Sequence, residues 1–92
     1  MIKQFNESLD TVVLTSKYVM SENSPIVYIA HHEDGIWEFW GKETIDESEI
    51  VVISLGQIIK IDPTILEVAD LPIEFNAVRD SKENTWTVLP KN

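Results

Sequence analysis

Ile26-Val-Tyr-Ile-Ala-His-His-Glu-Asp-Gly-Ile-Trp-Glu-Phe-Trp40 consists of two β-forming runs around an Asp-Gly pair. Branched and aromatic side chains of this kind fit a pleated, half-buried surface. Asp-Gly between such runs is the strongest short-range hairpin signal, because glycine adopts the positive φ that a tight turn demands. A two-residue turn at Asp34-Gly35 pairs His32 with Trp37, His31 with Glu38, Ala30 with Phe39 and Ile29 with Trp40. Alternate side chains point to opposite faces. This register therefore predicts a core face of Ile26, Tyr28, Ala30, His32, Trp37 and Phe39, backed by a face of Val27, Ile29, His31, Glu38 and Trp40. If no helix covers the second face, it is an apolar patch with a polar end. That makes Ile29, His31, Glu38 and Trp40 the candidate protein-interaction residues.

Outward from the hairpin, Thr11 to Ser16 is rich in β-branched residues and predicts a strand running on to Met20. Ile50-Val-Val-Ile53 is apolar on both alternating faces, which predicts a central strand covered on both sides. Ser54-Leu-Gly-Gln57 matches a capping box, and Asp62-Pro63 reads as an N-cap followed by proline at the first helical position. Two short helices are thus expected, Leu55 to about Ile61 and Pro63 to about Asp70, the second turning Ile65, Leu66 and Ala69 to the core. Phe75 to Arg79 and Thr85 to Leu89 predict two closing strands. The fold class is α+β: a mainly antiparallel sheet of five or six short strands, with two short helices inserted between the fourth and fifth.

The chain has 92 residues, which fits a single domain over 1–92. The first eight or so residues are polar apart from Ile2 and Phe5, and residues 1–10 are expected to be loosely held. Sixteen acidic against seven basic residues give a net charge of −9, which repels a phosphate backbone and an anionic bilayer. Nucleic acid and membrane are therefore excluded as partners, and a basic protein reached by electrostatic steering is the partner class that the charge favours. Cysteine is absent and the N-terminal stretch has no apolar signal-like run, so the expected location is cytoplasmic.

No catalytic, metal or cofactor residue is expected. His31 and His32 are strand neighbours that point to opposite faces, and no cysteine completes a zinc tetrahedron. Glu43, Asp46, Glu47 and Glu49 lack the glycine and spacing of a calcium loop. Ser16, His31 and Asp34 have no nucleophile elbow behind them, and three glycines at 35, 41 and 56 make no phosphate-cradling loop. Arg79, the only arginine, is expected to pair with a carboxylate as structural glue. The alternative is a small-ligand or minor enzymatic site around Trp37 and His32, and homodimerisation through the Trp40 face is compatible with either reading.

Several pieces occur in a telling order: Thr15-Ser-Lys17, Pro25-Ile-Val-Tyr28, Asp34-Gly-Ile-Trp-Glu-Phe39, Ile53-Ser-Leu-Gly-Gln-Ile-Ile59, Asp62-Pro63, Leu71-Pro72, Ala77-x-Arg79 and Trp86. Together, over residues 11–88, they resemble short bacterial proteins grouped with the immunity-protein-33-like domains linked to polymorphic toxin systems. The resemblance implies a non-enzymatic protein that binds and blocks a toxin, with no catalytic residues to assign.

Overall fold

A computed structural model describes residues 3–91; Met1, Ile2 and Asn92 lie outside the described residues. The elements are β1 (Val12–Ser16), α1 (Lys17–Ser21), β2 (Tyr28–His31), β3 (Trp37–Trp40), a 3-10 turn (Glu47–Glu49), β4 (Ile50–Ser54), α2 (Leu55–Ile61), a 3-10 helix (Pro63–Val68), β5 (Phe75–Val78) and β6 (Thr87–Pro90). The strands form one six-stranded sheet in the order β4-β1-β3-β2-β5-β6, antiparallel throughout except for the parallel β1–β3 pair. This is an α+β fold built on a mainly antiparallel sheet.

The chain doubles back at Asp34-Gly35, but through three loop residues rather than two. His32 accepts from the Gly35 amide at 2.9 Å and donates to the Ile36 carbonyl at 2.9 Å. A two-residue turn of the mirror-image type needs positive φ at both central positions. Gly35 has it, at +89°, whereas Asp34 is not among the positive-φ residues; its carboxylate instead accepts from the Ile36 amide at 3.1 Å. The extra residue moves the register by one, to Tyr28–Trp40, Ile29–Phe39, Ala30–Glu38 and His31–Trp37. Such a slip turns the side chains of one strand to the opposite face relative to its partner. The core face of the hairpin is therefore Ile29, His31, Trp37 and Phe39, all buried, and Tyr28, Ala30, Glu38 and Trp40 share the opposite one.

The remaining inner-face residues follow from the ladders: Val13 and Thr15 on β1, Val51 and Ile53 on β4, Phe75 and Ala77 on β5. Thr15 is tolerated there because its hydroxyl donates to the Phe39 carbonyl at 2.8 Å. Val19 of α1, Leu55 and Ile58 of α2, and Ile65 and Val68 of the 3-10 helix complete the same core. All three helical segments thus bury their apolar residues against one side of the sheet. Ile65 and Val68 are three apart because a 3-10 helix repeats every three residues, so Val68 takes the inward place expected of Leu66.

Further expectations meet a different outcome. The first strand stops at Ser16, whose hydroxyl accepts from the Val19 amide and caps α1, so the chain does not stay extended to Met20. Ile50–Ile53 is not central: β4 is an edge strand, with Val52 60% exposed. Residues 3–10, expected to be loosely held, make specific contacts. Phe5 lies edge-on to Trp37 at 4.9 Å, the Glu7 carboxylate accepts from the Trp37 indole at 2.9 Å, and Lys3 pairs with Asp70 at 3.2 Å.

Candidate interaction surface

With α1, α2 and the 3-10 helix Pro63–Val68 on one side, the other face of the sheet is left without a covering layer among the described residues. Its side chains fall into rows read from the strand registers. One row runs Ile50, Ser16, Trp40, Tyr28, Val78 and Thr87; the next runs Val52, Leu14, Glu38, Ala30, Asn76 and Leu89. A third, at the hairpin end, holds Val12, Ile36, His32, Glu74 and Lys91. Large apolar residues on this face stand in solvent, with Val12 65%, Val52 60% and Leu89 47% exposed, and Ile50, Tyr28 and Ile36 also exposed. Burying such residues in water-free contact is the main driving force of association.

Of the four residues that the sequence singled out, two belong here and two do not. Trp40 and Glu38 lie on the uncovered face, tied by an indole donation to the Glu38 carboxylate at 3.0 Å. Ile29 and His31 are on the core face: Ile29 is fully buried, and His31 stacks on Trp37 with ring centroids 3.9 Å apart while its Nδ1 donates to the Leu71 carbonyl at 2.8 Å. His31 Nε2 lies 3.6 Å from the Glu7 carboxylate, outside hydrogen-bond reach. Leu14, Val12, Val52 and Leu89 were missed. Their strands show alternation, but the sequence does not say which side the helices take.

The hairpin end of the face is charged. His32 Nε2 sits 3.0 Å from Glu38 Oε2 without the alignment of a hydrogen bond, and Lys91 Nζ reaches His32 Nδ1. Leu14, Ile36, Glu33, Asp34 and Glu74 join these three around an open concavity of about 340 Å³. Four carboxylates there face one lysine. Trp37 cannot contribute, since it is buried on the other side of the sheet, so the pairing of Trp37 with His32 in one ligand site does not exist.

The sheet edges are less open than the face. On β4 the groups turned away from β1 belong to Ile50, Val52 and Ser54. The Ile50 amide donates to the Glu47 carbonyl, and the Ser54 amide to the Gln57 side chain at 2.9 Å through the predicted capping box. Of these three, Val52 alone keeps a free donor among the described residues. At the other edge the groups turned away from β5 belong to Val88 and Pro90, and of these Pro90 has no donor to offer. Among the described residues, strand addition thus finds one free strand amide on each edge, Val52 and Val88, and the apolar face is the larger opportunity.

Beside Ile50, the Tyr18 hydroxyl donates to Glu49, whose carboxylate also lies 3.5 Å from Lys17. That hydrogen bond to Glu49 is the main reason the Tyr18 phenol is pushed up to about 12. The Glu49 carboxyl is lowered, first by the Asp46 backbone amide and then by Tyr18. Asp62 and Arg79 form the interior ion pair at 2.9 Å that the lone arginine led us to expect. Among the described residues no cluster of three or more His, Asp or Glu is placed to hold a metal ion, and no helix is long and apolar enough to cross a membrane. Comparison with protein families, curated proteins and solved structures finds no match to this chain.

Proposed function

We propose that this chain is a non-enzymatic, cytoplasmic protein-interaction domain whose contact surface is the uncovered sheet face around Trp40, Leu14, Val12 and Val52. The single observation that carries this reading is the packing of α1, α2 and the 3-10 helix Pro63–Val68 on one side of the sheet, which leaves branched and aromatic residues of the other side in water. The net charge of −9 points to a basic protein as partner. An immunity-type role, in which the domain binds and blocks a basic toxin, joins the resemblance noted above to that surface. The small-ligand alternative is less well supported, because the concavity at His32 is open and charged rather than enclosed and apolar.

Affinity capture from the native host tests this, with the wild-type chain and Trp40→Lys as parallel baits. A basic protein retained by the first and lost from the second, and inhibited when mixed with the wild-type chain, is the expected result. Equal retention by both baits would move the contact off this face, and recovery of the bait alone as a self-associated species would remove the toxin-antagonist role.

A further inference from the structure

Resting on that interaction reading, we propose that the occupant of the uncovered face is an amphipathic basic α-helix of the partner, laid across the strands. Its apolar stripe meets the row from Ile50 to Val78 and its lysines or arginines meet the carboxylates at the hairpin end. The dimensions fit. Six strands at about 4.8 Å span about 24 Å, the length of about 16 helical residues. In that row Trp40, Tyr28 and Val78 offer apolar contacts at strand spacing, close to the 5.4 Å pitch at which a helix repeats its apolar stripe, and Ile50 stands two strands from Trp40 across Ser16.

The charge distribution chooses the sign of the occupant. Glu38 lies one row from that apolar line, and Glu33, Asp34 and Glu74 lie beyond it, so a helix with cations along one flank finds carboxylates where it needs them. Lys91 already places an ammonium among these groups, against His32, in the position that a partner cation would share or take over. A second copy of this chain would instead bring Glu38 and its neighbouring carboxylates against the same set, with −9 facing −9. Among the described residues, an added strand would find only Val52 on β4 and Val88 on β6 as free strand amides, each beside a position closed by capping or by Pro90.

The test is nitrogen-15 NMR titration with a 16-residue Leu/Lys peptide of helical periodicity, beside a scrambled peptide of the same composition and a Leu/Glu peptide. The three indoles report separately: Trp40 is on the open face, Trp37 under Phe5, and Trp86 against Arg79. The Trp40 indole and the amides of Leu14, Tyr28 and Val52 should shift while those of Trp37 and Trp86 stay still. The scrambled and acidic peptides should bind at least tenfold more weakly, and Val52→Lys should cost the periodic peptide tenfold or more. Shifts centred on the helical side, equal binding of the scrambled or acidic peptide, or a face occupied by self-association would overturn the proposal. If the peptide fails while a captured partner is still lost from Trp40→Lys, the helix is wrong and the interaction surface stands. If both fail, the surface itself is wrong.

Discussion

Arg79→Met removes a guanidinium from the protein interior while keeping an unbranched, flexible apolar stem. In the wild type, Nε donates to the Ile26 carbonyl at 2.9 Å, Nη1 to Thr64 Oγ1 at 2.9 Å and the Lys82 carbonyl at 3.2 Å, and Nη2 to Asp62 Oδ2 at 2.9 Å. The Arg79 and Asp62 side chains are 0% and 4% exposed, and the guanidinium lies 4.0 Å from the centre of the Trp86 ring. Methionine leaves the Asp62 carboxylate buried with only Thr64 to stabilise it. Removing one member of a buried pair costs about 3–5 kcal/mol. At about 0.05–0.15 kcal/mol per residue, a chain of 92 has about 5–14 kcal/mol in total. The melting temperature should therefore fall by at least about 12 °C, at about 4–8 °C per kcal/mol for a domain of this size. Urea denaturation followed by circular dichroism gives the free energy directly. Asp62→Asn added to Arg79→Met removes the stranded charge, so the double variant should be less destabilised than the sum of the singles. An Arg79→Met variant within about 0.5 kcal/mol of wild type, the range usual for surface substitutions, would refute this reasoning.

The Tyr18 phenol should ionise near pH 12, seen as a late absorbance rise near 295 nm that disappears in Tyr18→Phe. Its folded-state pKa is above the ordinary 10, so the stability that Tyr18 lends is complete below pH 10 and is lost as the pH rises through 12. The lowered Glu49 carboxyl works in the opposite direction: its contribution is present above the ordinary 4.5 and is lost as the pH falls through the folded value, which Glu49→Gln should abolish in an acid melt. Gly35→Ala places a methyl group in open space but at φ +89°, so it should cost about 1–2 kcal/mol from the backbone alone, measured by urea denaturation. Ser54→Ala removes the hydroxyl that accepts from the Gln57 amide and should cost about 1 kcal/mol in the same assay.

The α+β class, the turn at Asp34-Gly35 and the capping box at Ser54 were legible because each depends on local chemistry written in neighbouring residues. The hairpin register was not, since Asp-Gly serves both a two-residue turn and a type I turn closed by a left-handed glycine. That ambiguity of one residue placed Ile29 and His31 on the wrong side while leaving Glu38 and Trp40 where the interaction reading needs them. The placing of Ile50-Val-Val-Ile53 failed for a different reason. Apolarity on both faces suits a central strand, but here one face of the sheet is open, so Val52 is apolar without being covered. Ser16 carried a readable N-cap signal that the β-branched run before it obscured.

Calorimetric titration of the captured partner into wild-type chain and into Val12→Lys/Val52→Lys tests the contact surface most directly. Both substitutions fall on exposed positions of the uncovered face, so the melting temperature should stay within a few degrees while the affinity drops at least a hundredfold. Undiminished affinity in a fully folded double variant would mean that the partner binds elsewhere.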